Sequence, residues 1–144
     1  MPHVTRNHPK LTLEGAQAVL NAAQSRAREI GVPMDIAVVD DGGHLLAFAR
    51  QDGAKLSSIR IAITKAEASA TRRQPTGPYA PDGQVDLRVT LGLAISSRAH
   101  QTPLRGGLPL LVDGICVGAI GVSNGTEDQD VEVARAGAAA LKVD

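Results

Sequence analysis

Aromatic side chains are almost absent from this chain: one phenylalanine, Phe48, one tyrosine, Tyr79, and no tryptophan among 144 residues. A core must then be assembled from Ala, Val, Leu and Ile, small side chains that let helices pack close to a sheet. A flat ligand would meet aliphatic walls and backbone with little stacking. Base-stacking platforms for single-stranded nucleic acid are argued against on the same ground. Cysteine occurs once, at Cys116, so no intrachain disulfide is possible. Its simplest role is a small buried hydrophobe in an apolar strand. Net charge is lacking as well, because 15 Lys and Arg balance 15 Asp and Glu. That argues against a dedicated nucleic-acid or anionic-membrane surface and makes self-association easy. No apolar run approaches the roughly 18 residues that a membrane span needs. Met1 to Arg6 lack the apolar stretch of a signal peptide, and the expectation is a cytoplasmic protein.

What the chain does have is glycine, concentrated late. Six glycines fall among the twenty residues from Gly106 to Gly125. The stretch reads as strand, tight turn at Asp113-Gly114, strand, glycine-rich bend, helix start. Glycine there costs backbone entropy unless it supplies a positive φ or lets something approach the backbone closely. A helix N-terminus at the end of the bend suits a carboxylate or phosphate. Gly107, Gly121, Ser123 and Gly125 are therefore candidates for an anion-accepting backbone concavity.

The remaining pattern is regular. Residues 1–10 are polar and read as a flexible arm ahead of a single domain over 11–144. Thr12 is placed to cap a helix over 13–30, with Leu13, Ala16, Leu20, Ala23, Ala27 and Ile30 at helical spacing and Gly31 as its stop. A buried strand over Asp35–Asp40, a turn at Asp41-Gly42-Gly43 and a partner strand from His44 to Arg50 form a hairpin. In that partner strand, alternation sets Leu45, Ala47 and Ala49 on one face and His44, Leu46 and Phe48 on the other. A helix over 55–72 carries an inner stripe of Ile59, Ala62, Ile63, Ala66 and Ala70. A proline-containing loop covers 73–84, and a short helix covers 86–97. A second hairpin pairs 102–112 with 115–123. Thr126 then opens a last helix, with Gln129 at the capping-box position and Val131, Ala134, Ala138 and Leu141 as the buried stripe. The class is α+β: an antiparallel sheet of about four to five strands flanked by helices, a two-layer sandwich.

With these segments placed, the chain resembles the GlcG/HbpS-like family, described as heme-binding or heme-degrading domains. The resemblance runs over about residues 11–142. It rests on Leu11-Thr12-Leu13 with Ala16, Gly31-Val32-Pro33, Ala37-Val38-Val39-Asp40, Gly42-Gly43-His44-Leu45-Leu46-Ala47-Phe48, Ile61-Ala62 and Lys65-Ala66. It continues through Gly106-Gly107, Pro109-Leu110, Val117 to Ser123, Gln129-Asp130, Val133-Ala134 and Ala136-Gly137. The resemblance implies a sheet flanked by helices, dimers assembling into larger homo-oligomers, and a small-molecule ligand, heme or a related tetrapyrrole. It supplies no axial ligand. The chain departs from the family's pattern after Lys65, in a charged run from Glu67 to Arg73, at Asn124, and over 75–100.

The candidate chemistry follows from residue types. His44, at a hairpin exit, is a candidate metal or heme-iron ligand or a base; the alternative is an ordinary turn histidine. Asp40 either orients a neighbour or accepts turn N–H bonds. Lys65, beside an apolar helix face, is a candidate base, Schiff-base former or carboxylate anchor, or a snorkelling lysine. Arg72 and Arg73 are candidates to clamp a carboxylate or heme propionate, or simply complement the helix dipole. His100 sits in a loop, and His3 and His8 in the arm. No histidine pair has metal-site spacing, so structural zinc is not expected. Two functions from different classes emerge. One is a heme-binding module with His44 or another histidine as ligand, arginines on the propionates, and Gly107, Gly121 and Ser123 lining the site. The other is a cofactor-independent lyase, isomerase or hydrolase acting on a small carboxylated or hydroxylated metabolite, with Lys65 as base or anchor and His44 or Asp40 assisting proton transfer.

Overall fold

The computed structural model describes residues 1–143, so the final residue of the 11–144 domain range, Asp144, lies outside the described residues. Eight elements follow one another: α1 (Leu13–Ile30), β1 (Asp35–Asp40), β2 (Leu45–Arg50), α2 (Ser57–Arg72), α3 (Leu87–Ser96), β3 (Gly107–Val112), β4 (Ile115–Ser123) and α4 (Glu127–Ala138). The strands form a four-stranded sheet in the order β2-β1-β4-β3, antiparallel at every pairing.

Local chemistry explains where the helices begin and end. Thr12 accepts a hydrogen bond from the Gly15 N–H at 3.0 Å, and Gly31 closes α1 in the left-handed region. Thr126 and Gln129 form the reciprocal capping box at the start of α4. Asp86 caps α3 by accepting from the Val89 N–H at 3.1 Å. Leu141 lies beyond the end of α4, and the buried face of that helix is Asp130, Val131, Val133, Ala134 and Gly137. In α2, Ala62, Ala66 and Ala70 of the expected stripe are buried and Ile59 and Ile63 only half so, while Lys65 and Ser69 fill the inner face instead.

Two strand boundaries move. β3 begins at Gly107 and not at 102, because Gly106 takes a φ of 127° and breaks the extended run. β2 begins at Leu45, one residue after His44, which stays in the turn. The facing of β2 also changes. Its register against β1 slips between Val38 and Val39, so that Val39 opposes Leu45 while Val38 opposes Ala47. The extra residue, Leu46, turns to the Ala47 and Ala49 side, and Leu45 is left exposed.

Every residue of β1 from Asp35 to Val39 is buried, which requires cover on both faces of the strand. Ile36 and Val38 pack with α1 and α4; Ala37 and Val39 pack with α2. The stack is therefore helix, sheet, helix, three layers deep and not two, since alternate residues of β1 find a helix on either side. The α2 layer is built from alanines, Phe48 and Ile63. It sits so close that a β-carbon on Gly121 would lie 2.1 Å from the Ala62 carbonyl oxygen, and one on Gly107 2.4 Å from that of Lys65. Gly107 and Gly121 face each other across β3 and β4, so the pair makes a flat bed for the helix backbone.

α3 belongs to neither layer. None of its residues is buried, and Leu87, Val89, Leu91 and Ile95 are all exposed. No described helix is long and apolar enough to cross a membrane.

Candidate functional site

The sequence candidates divide between two places on α2, one inside the molecule and one on its outer side.

Inside, the Lys65 side chain is 2% exposed. Its Nζ donates to the Val122 carbonyl oxygen at 2.8 Å and to Asp130 Oδ2 at 2.9 Å. Asp130 Oδ1 in turn accepts from the Gly125 N–H at 2.9 Å. Burial pushes the Asp130 carboxyl above the usual aspartate range, with the charge and hydrogen bond of Lys65 acting against it. The backbone of Gly106 closes over the ammonium, for a β-carbon there would lie 3.0 Å from Nζ. Lysine and glycine-rich bend do meet, and the carboxylate between them is the chain's own. Asp130 had no candidate role from sequence. Its signal was spacing: Asp130 stands four residues before Ala134 and seven before Gly137, on the buried face of α4.

Gly107 and Gly121 lie under the α2 backbone, as described above. Ser123 is buried at the end of β4, opposite Asp35 in the ladder. Asp35 is a second acid that went unremarked in sequence, hidden by its place at the mouth of an apolar strand. It is fully buried and neither carboxylate oxygen has a hydrogen-bond partner among the described residues. Burial raises its pKa, and the charge of Arg50 opposes the rise.

Outside, the β1–β2 turn packs on α2. Asp40 Oδ1 accepts the N–H groups of Gly42 and His44, each at 2.9 Å. This is the turn-closing role, and it fixes the backbone on which His44 stands exposed. A β-carbon on Gly43 would lie 3.5 Å from Thr71 Cγ2 and 3.7 Å from Glu67 Cα, which puts the turn against the outer stripe of α2. The segment after α3 reaches the same stripe from the other side. His100 Nδ1 lies 2.7 Å from Glu67 Oε2, and Gln101 donates to Thr71 Oγ1 at 2.9 Å. His100 thus touches Glu67, while Gly43 of the turn lies against Glu67 and Thr71 and the His44 ring lies against Gly42. Arg60 reaches Glu67 Oε2 as well, at 3.5 Å.

The two arginines diverge. The Arg72 guanidinium sits over the Tyr79 ring, 4.3 Å from its centroid. Arg73 takes the left-handed conformation that ends α2, its N–H bonded to the Ser69 carbonyl. His8 Nδ1 lies 2.9 Å from the Pro9 carbonyl oxygen in the exposed arm. Cys116 is buried. Among the described residues no three His, Cys, Asp or Glu side chains converge as a metal cluster.

A cleft of about 260 Å³ opens beside this outer stripe, walled by Arg60, Ile61, Thr64, Ala99, Gln101, Thr102 and Leu104. Another of about 550 Å³ lies at the far end of α1, around Arg28, Pro33 and Arg50, away from every histidine just named.

The chain has relatives. The profile of the family described as haem degrading protein HbpS-like matches residues 11–139. The chain belongs to the HbpS-like family. Protein GlcG of Escherichia coli strain K12 is 39% identical over 113 residues, spanning 78% of this chain and 81% of that protein. The crystal structure of HbpS superposes with a TM-score of 0.79 at 31% identity, covering 98% of this chain and 96% of that one. The crystal structure of a PduOC:heme complex superposes with a TM-score of 0.81 at 26% identity, covering 94% of this chain and 98% of that one. The PduOC structure holds this fold in complex with heme.

Proposed function

We propose that this HbpS-like chain is a small-ligand-binding module for heme or a related tetrapyrrole, bound along the outer side of α2. The observation that carries the reading is the likeness, over nearly the whole chain, to a PduOC domain solved with heme. The donor chemistry fits the group. His44, in the turn packed on α2, and His100, against Glu67, are exposed imidazoles, and either would serve as an axial ligand to iron. Arg73 is exposed at the end of the same helix and would meet a propionate; Arg72 would do so on leaving the Tyr79 ring. Bound heme would supply the iron chemistry, and the chain's residues would hold and orient it.

The cleft beside α2, about 260 Å³, falls short of the roughly 300–1,000 Å³ of pockets that enclose drug-sized ligands. A tetrapyrrole would lie partly uncovered on one copy. A second copy of the chain would supply the other wall, and α3, with its row of exposed apolar side chains, is the surface that would bring it there.

The test is a titration of the purified protein with heme followed at the Soret band, repeated on His44→Ala and on His100→Ala. A saturable one-to-one shift that changes in one of the variants supports the reading. Binding that never saturates, or that ignores removal of every histidine, sinks it.

A further inference from the structure

Glu67, His100 and Arg60 contribute nothing to the core, which α2 enters through the opposite face, and yet they hold one another. The Glu67 side chain is only 13% exposed although it stands on the outer stripe of α2. His100 is brought to it by two consecutive non-glycine residues in the left-handed region, Arg98 with a φ of 54° and Ala99 with a φ of 62°. Such backbone is retained where surrounding contacts over-determine it, and it clusters at functional sites. Here it turns the segment back on itself, so that the His100 ring meets the carboxylate at 2.7 Å. With Nδ1 committed to Glu67, the ring is oriented and Nε2 has no hydrogen bond among the described residues. Arg60 reaches the same carboxylate oxygen at 3.5 Å, a long contact that leaves most of its five N–H donors free. Its side chain is mostly exposed, and it forms one wall of the cleft.

We propose that the cleft between α2 and the 98–104 segment is a binding site for a small monocarboxylate, its charge taken by Arg60 and a second polar group taken by Gln101, a lining residue whose Oε1 has no hydrogen-bond partner among the described residues. The guanidinium fork matches a planar carboxylate with two parallel hydrogen bonds. Glu67 disfavours an ion carrying more than one negative charge, which argues for a carboxylate over a phosphate dianion. The volume of about 260 Å³ and the aliphatic wall of Ile61, Ala99 and Leu104 limit the occupant to a short-chain acid. Gln101 and Thr102 offer further hydrogen bonds for a hydroxylated one. This proposal needs neither His44 nor iron, and because it takes the same cleft as the heme reading the two ligands would compete for it.

The experiment is an amide ¹H–¹⁵N chemical-shift titration of the full chain with propionate and lactate, with propionamide and lactamide as uncharged isosteres. The expected result is saturable movement of amides from Arg60 to Glu67 and from Ala99 to Leu104 with the acids and none with the amides. Arg60→Gln, on an exposed side chain, should weaken the acids about tenfold, the worth of a charge-assisted pair, while the spectrum reports that the variant is folded. Gln101→Ala should weaken lactate more than propionate and leave Arg60 responsive. Absence of saturation, an equal response to the amides, or unchanged affinity in Arg60→Gln overturns the proposal. Heme binding can fail in its own titration without touching any of these outcomes.

Discussion

Asp35 is a carboxyl with no hydrogen-bond partner among the described residues. It is fully buried, and its pKa is raised by burial against the opposing charge of Arg50. The folded chain therefore binds that proton more tightly than the unfolded chain does. This contribution to stability is fully present below the ordinary aspartate pKa of about 3.9 and is lost as pH rises through the elevated folded value. At neutral pH the ionised group destabilises the fold. Asp35→Asn removes the charge and keeps the shape. It should raise stability by about 1 kcal/mol at neutral pH, within the usual range for a single change at a buried polar site, and by nearly nothing in acid. Urea unfolding of both proteins at the two pH values measures the difference; equal stability at neutral pH would count against the account. The contrast with Asp130 is instructive. That acid is as deeply buried and has Lys65 and the Gly125 N–H as partners. Sequence made Lys65 visible, because a lysine beside an alanine stripe stands out. Its partner sat 65 residues away on another helix, a separation that no local pattern spans.

At the level of elements, packing of α2 on the sheet depends on what is missing from Gly107 and Gly121. A methyl group at Gly121 would fall 2.1 Å from the Ala62 carbonyl oxygen and 2.5 Å from the Ala66 nitrogen, both backbone atoms with no rotamer to yield. Gly121→Ala should lift the helix and cost at least the 1–3 kcal/mol or so of an overpacked core. Gly92→Ala is the control: it lies in α3, a β-carbon there meets nothing within 4 Å, and the helix propensity gain is about 1 kcal/mol. Thermal unfolding should show opposite signs, and a Gly121→Ala protein as stable as wild type would refute the close-packing reading. The same scale shows what was legible. Thr12, Gly31, Thr126 and Gln129 act on backbone groups within a few residues, so the ends of α1 and the start of α4 could be read directly. The bulge at Leu46 could not, because it is a property of two strands paired, and it reversed the facing of Leu45 and Leu46 that strict alternation gives. Glycines in the β3–β4 hairpin could be read as close-approach positions, but not what approaches, which at Gly107 and Gly121 is the α2 backbone.

For the whole molecule, the four-stranded antiparallel sheet followed from the two hairpins, and the third layer followed from the burial of both faces of β1. The outer stripe was harder to foresee. His44 was visible by its glycine-flanked turn, but its meeting with the neighbourhood of His100 depends on α2 lying between them and on a left-handed pair at Arg98 and Ala99 that polar composition does not announce. α3 poses the last question at this scale. A helix of 10 residues is marginal by itself in water, and this one buries no side chain and carries a single charge, Arg88. Its exposed Leu87, Leu91 and Ile95, with Val85 just before it, form an apolar row with no charge pattern to select an unlike partner. With zero net charge on the chain, repulsion between copies is weak. We propose a second copy of the same row as the matching surface, self-complementary about a two-fold axis. Sedimentation equilibrium at micromolar protein should then report at least twice the 14.9 kDa chain mass. Ile95→Asp places a charge at the end of the row and, touching nothing in the core, should return the protein to a monomer with its thermal transition otherwise cooperative. A wild-type protein that sediments at 14.9 kDa across the range, or an Ile95→Asp variant with unchanged mass, would leave α3 without the role assigned to it.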